Sequence, residues 1–526
     1  SCAELQTVQE MSARLVVLIP CSDVEALVTS MKGQKQGELI SLELFGAPSV
    51  AAAKDGFLIV GQNPEVVQDV LRAKGGGIIT SISPDRLADY KTQDLFGWAS
   101  FRGLSEEVRQ QLIDSWLGLM VMAGPAARAQ GEHGVEQVKK LMEESREFCF
   151  GLAIDEKVGL KLVLYYRMRP GTELAQQMEA MKPPSEPLLV GLPDEPVIFA
   201  MGAASAGGDA QYEKQIRQMM DHVLSQEILG ELVDPDKLKS MRESIVKLTV
   251  GLKQMSFSLS ALPAENEGGL VGAAFVAKVA SSQQAQGELR TLFNMAKELV
   301  VKAAQDQEDL PEGSPAAVDE AVQWKQEAEK PSGAVVDHLI VDLAKFPDAD
   351  SEKIEEIKGV VGQEGVLVRV AAVGDSHVAI TFGGGAKRFA RIVEHIEKGQ
   401  APLADKKAIK MVADRLPPPQ NRLAEGYFSV DRLLALVMSI SKQVGQPMMF
   451  PLMMKETAPI AYTMSRVDNT AIQADVLIPI ELAQSAMELA GPFIQMALMG
   501  GAGMPGQPPM PQLVPEPAPD NESELK

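Results

Sequence analysis

The feature that most constrains this fold is an internal similarity. Ala53 to Ala73, AKDGFLIVGQNPEVVQDVLRA, aligns with Gly374 to Ile396, GDSHVAITFGGGAKRFARIVEHI, and places Gly61 on Gly383. Each copy is an apolar run ending at glycine, followed by apolar residues at helical spacing: Val67, Val70 and Leu71 in the first, Phe389, Ile392 and Val393 in the second. Both therefore read as strand, tight loop, helix. A chain that carries one pattern twice builds one supersecondary unit twice, so the repeat bounds the topology before any motif is considered.

The similarity continues downstream in the same order. LFGWASF, Leu95 to Phe101, corresponds to AEGYFSV, Ala424 to Val430, and a helical pattern follows each. Next come two alternating runs with a turn between them, Phe148 to Arg167 and Ile460 to Pro479, with Asp155 and Asp468 at the turns. These read as β-hairpins. A helix then opens in both copies with the tetrapeptide ELAQ, at Glu173 and at Glu481. A third, partial copy joins strand Val197 to Ala203, a helical stretch, the hairpin Met255 to Val279 and another helix.

The expected fold class is α+β, with repeated strand-helix-hairpin-helix units whose antiparallel sheets carry helices on one face. A length of 526 residues implies about two to four domains. Three α+β modules are expected at residues 1–185, 186–304 and 334–499, the third resembling the first. Residues 305–333 read as an acidic linker with a short helix, and 500–526 as a disordered tail rich in Pro and Met.

Charge narrows the partners. With 71 acidic against 50 basic residues, the formal charge of −21 repels polyphosphate, and basic clusters such as Lys406, Lys407 and Lys410 lack interleaved aromatics for stacking on bases. Nucleic acid is therefore not an expected partner. The three cysteines, Cys2, Cys21 and Cys149, are too few for a disulfide framework. The opening Ser1-Cys2-Ala3 suits a secretory cleavage site or a lipoprotein signal, so an extracytoplasmic location and membrane tethering through Cys2 are expectations.

Each reactive motif has a plainer reading. Gly383-Gly384-Gly385-Ala386-Lys387 lacks the spacing of a P-loop and the Ser or Thr after lysine, and the matching loop in the first copy is Gln62-Asn63-Pro64-Glu65. Its glycines fit a tight turn with positive φ. Ser205, within Ala203-Ala204-Ser205-Ala206-Gly207, is a loose variant of a nucleophile elbow, with His222, His338, His377 and His395 downstream. No histidine or cysteine spacing suits a metal. Met448, Met449, Met453, Met454, Met496, Met499, Met504 and Met510 are soft ligands for Cu(I) but also fit apolar packing. Asp155 and Asp468 suit turns, and Glu173 and Glu481 suit first helical turns. No catalytic, cofactor or metal residue is assigned.

The pattern DGFLIVGQNPEVVQDVL followed by strand, helix, hairpin and helix resembles a broad class of exported bacterial proteins of unknown function, found in Gram-negative and planctomycete-like secretomes. The resemblance spans most of residues 13–497 and implies an extracytoplasmic, non-enzymatic protein. The expected role is a binding or structural module of the envelope, its partner an unidentified protein or envelope component held on sheet faces or between modules. The alternatives are a carrier of an apolar ligand or lipid between sheet and helices, and a serine hydrolase using Ser205.

Overall fold

The computed structural model describes residues 16–44, 47–72, 82–84, 86–100, 106–111, 113–114, 134–135, 138–205, 208, 210–224, 234–263, 268–306, 314–330, 334–346, 349–445 and 455–485. Its first part runs β1 (Val16–Pro20), α1 (Val24–Ser30), β2 (Gln34–Gln36), β3 (Leu39–Leu44), β4 (Ala47–Lys54), β5 (Phe57–Gly61), α2 (Pro64–Arg72), α3 (Leu87–Thr92) and β6 (Leu95–Ala99). The middle comprises β7 (Ser145–Asp155), β8 (Gly159–Met168), α4 (Glu173–Ala180), β9 (Val197–Ala204), α5 (Ala210–Leu224), α6 (Pro235–Gly251), β10 (Leu252–Ala261), β11 (Val271–Val279) and α7 (Ser282–Asp306). The last part holds α8 (Ser314–Ala321), β12 (Val322–Glu329), β13 (Val336–Val341), α9 (Ser351–Val361), β14 (Val366–Val373), β15 (His377–Phe382), α10 (Gly385–Glu397), α11 (Lys407–Ala413), β16 (Arg422–Phe428), α12 (Val430–Gln443), β17 (Ile460–Arg466) and β18 (Ala471–Pro479).

The protein is α+β, with two sheets that are antiparallel throughout. The smaller has the order β1-β5-β4-β3-β2. Asp55 and Gly56, both at positive φ, close its β4–β5 hairpin with two central residues, the backbone that matches strand twist. The larger sheet has thirteen strands in the order β12-β13-β14-β15-β11-β10-β9-β16-β17-β18-β8-β7-β6. The three expected hairpins form as β7–β8, β10–β11 and β17–β18. Pairings between segments distant in the chain join them: β15 with β11, β9 with β16, and β18 with β8.

Two expectations are corrected. Helices cover both faces at the centre of the large sheet, not one. Val276, Ala371 and Ala379 pack with Phe389, Ile392, Val393 and Ile396 of α10, whereas their chain neighbours Ala277, Val370 and Val378 pack with Leu248 of α6 and Ala285 and Leu289 of α7. Successive strand residues point to opposite faces, so VGAAFVAKV and VLVRVAAV, nearly continuous in apolar residues, are sequences for burial on both sides. The residues expected as a linker, 305–333, contain α8 and also β12, which pairs with β13 and ends the sheet. Exposed charged residues and a break in register between Lys325 and Glu329 suit β12 to a sheet edge that must not recruit another strand.

The α10 corner shows how sequence sets local structure. Its buried residues Phe389, Ile392, Val393 and Ile396 follow helical spacing and face the sheet. Gly383, Gly384 and Gly385 precede them at φ +68°, +76° and +70°, the positive angles that the turn reading required. A Cβ at Gly383 would come within 2.1 Å of the Val271 carbonyl oxygen. The loop is thus pressed against β11, and the Gly384 N–H donates to the Gly268 carbonyl at 2.9 Å.

Candidate functional site

Arg388, three residues after Gly385, turns inward and is only 2% exposed, whereas the Lys387 before it is exposed. Its Nε donates to both Glu195 carboxylate oxygens at 3.0 and 2.9 Å, and Nη1 donates to the Ala273 carbonyl. The ion pair fixes the start of α10 to the segment that enters β9. The Arg388 guanidinium beside the glycine loop is therefore committed to structure.

The paired acidic residues also have local partners. Asp155 accepts hydrogen bonds from the Lys157 and Val158 N–H groups, which hold its carboxyl below the usual range. At Asp468 burial acts to raise the carboxyl, but hydrogen bonds from the Thr470 N–H and hydroxyl, with Arg167 alongside, outweigh it and the net shift is downward. Glu173 opens α4 and pairs with Lys140. Residues 480–485 are helical, and Glu481 Oε2 is buried without a partner among the described residues.

Of the histidines, His377 Nε2 lies 3.0 Å from Glu186, while burial pulls the His395 imidazole below its ordinary value. Cys149 lies beside Glu147, and burial followed by that carboxylate pushes its thiol well up, away from the reactive thiolate. Among the described residues, no group of three His, Cys, Asp or Glu side chains gathers as a metal site, and no helix is long and apolar enough to cross a membrane. Cys2, Met448, Met449, Met453, Met454, Met496, Met499, Met504 and Met510, the His222 side chain and the tail over 500–526 lie outside the described residues.

Ser205 is placed differently from the other candidates, because it lines a cleft of about 770 Å³. The cleft sits where three neighbouring strands of the large sheet end. Ser205 follows β9 and its N–H donates to the Lys253 carbonyl at 2.9 Å; Gly251 and Lys253 flank the start of β10; and Ala280 follows β11, its N–H donating to the Gly251 carbonyl at 2.9 Å. α5 and α6 supply Arg217, Val246, Lys247 and Val250 to the lining, and the connector after α4 supplies Lys182, Pro183 and Pro184. The volume falls within the range of small-molecule sites, and the mixture of apolar surface with few polar groups is typical of them.

The charges of this cleft run against those of the chain. Among the described residues its lining holds Lys182, Arg217, Lys247 and Lys253 but a single acid, Glu213. Arg217 is occupied by Glu213 and Glu243 at 2.8 and 2.7 Å, and Lys247 by Glu288 at 2.9 Å. Lys182 and Lys253 form no ion pair among the described residues. The described lining contains no histidine, so no imidazole base stands beside Ser205 there. Sequence reasoning singled out Ser205 but not the lysines, because they come from segments that only the long-range strand pairing brings together.

A second cleft, of about 440 Å³, lies beside β16. Glu425, held by Arg422 at 2.7 Å and by the Tyr427 hydroxyl at 3.2 Å, forms part of its lining. Arg422 also donates to the Pro417 and Ala413 carbonyls, so its guanidinium ties the preceding connector to the strand.

Compared with protein-family models, with curated proteins and with solved structures, the chain matches none of them.

Proposed function

We propose that this chain is a non-catalytic binding protein of the bacterial envelope, built from copies of one strand-helix-hairpin-helix unit, that holds a small ligand in the cleft at the ends of β9, β10 and β11. On this reading β6–β8, β9–β11, β13–β15 and β16–β18 are four copies, and β1–β5 contains a more divergent fifth. Two features support the duplication. Gly97 pairs with Phe150 and Gly426 with Tyr462, and these pairs occupy corresponding places in the sequence alignment. The four runs also abut third strand to third strand at β15–β11 and β18–β8, and first to first at β9–β16, which is how copies related by two-fold axes meet.

The observation that carries the binding reading is the cleft itself, open and lined largely by apolar residues and four cations, with no histidine in its described lining. The faces of the central strands, first expected to present a partner, are covered by helices on both sides. A ligand between elements is therefore favoured over a partner on a sheet face. The envelope location belongs to the same proposal and rests on the resemblance to exported proteins.

Native mass spectrometry of the protein isolated from an envelope fraction tests this reading. It predicts a retained small molecule that is released when the chain unfolds. Ser205-dependent labelling by a fluorophosphonate would overturn the non-catalytic assignment, and recovery of ligand-free protein from intact envelopes would overturn the binding one.

A further inference from the structure

We infer that the ligand of this cleft is an amphiphilic anion: an apolar chain carrying a carboxylate or phosphate head, with the head between Lys182 and Lys253. The inference rests on the binding reading above and adds the chemical class of the ligand.

Three observations carry it. First, the chain as a whole is strongly acidic, with a formal charge of −21, yet the described lining holds four cations and one acid. The local excess is therefore opposite in sign to the bulk of the protein. Second, the cations divide into two kinds. Arg217 and Lys247 are neutralised by Glu213, Glu243 and Glu288 and brace α5, α6 and α7 against one another. At Glu288 burial acts to raise the carboxyl, but hydrogen bonds from Ser244 and Lys247 outweigh it and hold it low, consistent with a settled structural pair. Lys182 and Lys253 have no such partner among the described residues and are exposed, leaving two ammonium groups to meet an incoming anion.

Third, much of the rest of the described lining is apolar, with Val246, Val250, Ala280, Pro183 and Pro184 among its residues. A small hydrophilic anion would leave that surface wet, whereas an alkyl chain removes it from water, which is favourable in proportion to the apolar area covered. The head gains from the ammonium groups because charge-assisted hydrogen bonds are the stronger kind. The neutral Ser205 hydroxyl borders the same space and adds no charge.

Gly251 offers a clean way to close the site. It lines the cleft, its φ is not positive, and a Cβ there meets only the Ala280 Cβ, at 4.0 Å. A first side-chain carbon is therefore accommodated here, and the larger Leu side chain is expected to narrow the cleft.

The test is a fluorescence titration of the full chain with dansyl-undecanoate, competed in separate arms by unlabelled undecanoate, a lysophosphatidic acid and a neutral monoacylglycerol of matched chain length, dodecylamine and inorganic phosphate. The expected result is saturable binding of the probe, with displacement by lysophosphatidic acid but not by the neutral, cationic or chain-free competitors at equal concentration. A stronger effect of lysophosphatidic acid than of unlabelled undecanoate identifies the phosphate head, and the reverse identifies the carboxylate. Lys182→Glu and Lys253→Glu each weaken the probe about tenfold or more, and Gly251→Leu abolishes binding while circular dichroism and the melting temperature stay near those of the parent. Equal displacement by the monoacylglycerol, or indifference to both lysine reversals, overturns the anionic class while leaving a cleft-bound ligand. Probe binding that survives Gly251→Leu removes the cleft from the account, and no saturable binding of any amphiphile overturns the inference outright. Failure here together with a retained molecule in native mass spectrometry leaves the binding reading standing and rejects only this ligand.

Discussion

Gly426 lies directly across from Tyr462 in the β16–β17 ladder, and a Cβ added to it would fall 2.2 Å from the tyrosine ring. The ring thus covers bare backbone, an arrangement in which the glycine's cost in a strand is offset by aromatic packing. Gly97 and Phe150 stand in the same relation, with a contact of 2.1 Å. Gly426→Ala and Gly97→Ala are each expected to lower folding stability by about 1–3 kcal/mol through overpacking. Added to Tyr462→Ala, Gly426→Ala costs markedly less, because the ring it would strike is gone. Denaturant unfolding of the two single variants and the double variant measures the coupling; additive losses contradict the packing relation.

Glu195 and Arg388 form an ion pair in which both members are buried. Removing the carboxylate strands a guanidinium in the interior. Glu195→Gln is therefore predicted to destabilise the fold by about 3–5 kcal/mol, while Arg388→Met costs less, because Arg391 Nη2, 3.6 Å from Glu195, remains to hold the carboxylate. Chemical denaturation ranks the two, and the opposite order would contradict the assignment of Arg388 as a structural anchor.

Asp337 supplies an acid dependence. Burial by itself raises its carboxyl, but hydrogen bonds from Arg290, the Glu327 N–H and the Trp324 indole outweigh this and hold it below the ordinary aspartate range. The native carboxyl thus binds a proton less readily than the unfolded one. Its stabilisation is fully present above the ordinary value of about pH 4 and is lost as pH falls through and below that range. The stability gap between the parent and Asp337→Asn, followed by denaturant unfolding, should be widest near neutrality and narrow towards pH 3. A gap independent of pH would show that the carboxylate charge does not matter.

Local order was largely legible in the sequence. Hairpins β7–β8 and β17–β18 lie where alternation and turn aspartates placed them, and α10 begins where apolar residues assume helical spacing. What the sequence hid was long-range. The apolar runs of β11 and β15 identify strands but not the register that sets Phe275 opposite Ile380. The nearly continuous apolar character of β11 and β14 carried the signal for helices on both faces, a signal that a hairpin reading with one solvated face suppresses. β12 was obscured because VQWKQEAE is charged as an exposed edge must be, which reads as linker. Of the cleft only Ser205 stood out, through neighbouring small residues; Lys182 and Lys253 are ordinary surface lysines until strand pairing brings their segments together.

Hydrogen exchange of the full chain, with and without saturating dansyl-undecanoate, tests the central claim most directly. The account predicts added protection concentrated in peptides covering residues 180–184, 246–253 and 280–284, with Gly251→Leu abolishing it. Protection confined to the second cleft, at residues 404–419 and 422–427, or no protection under conditions where the probe is bound, would contradict it.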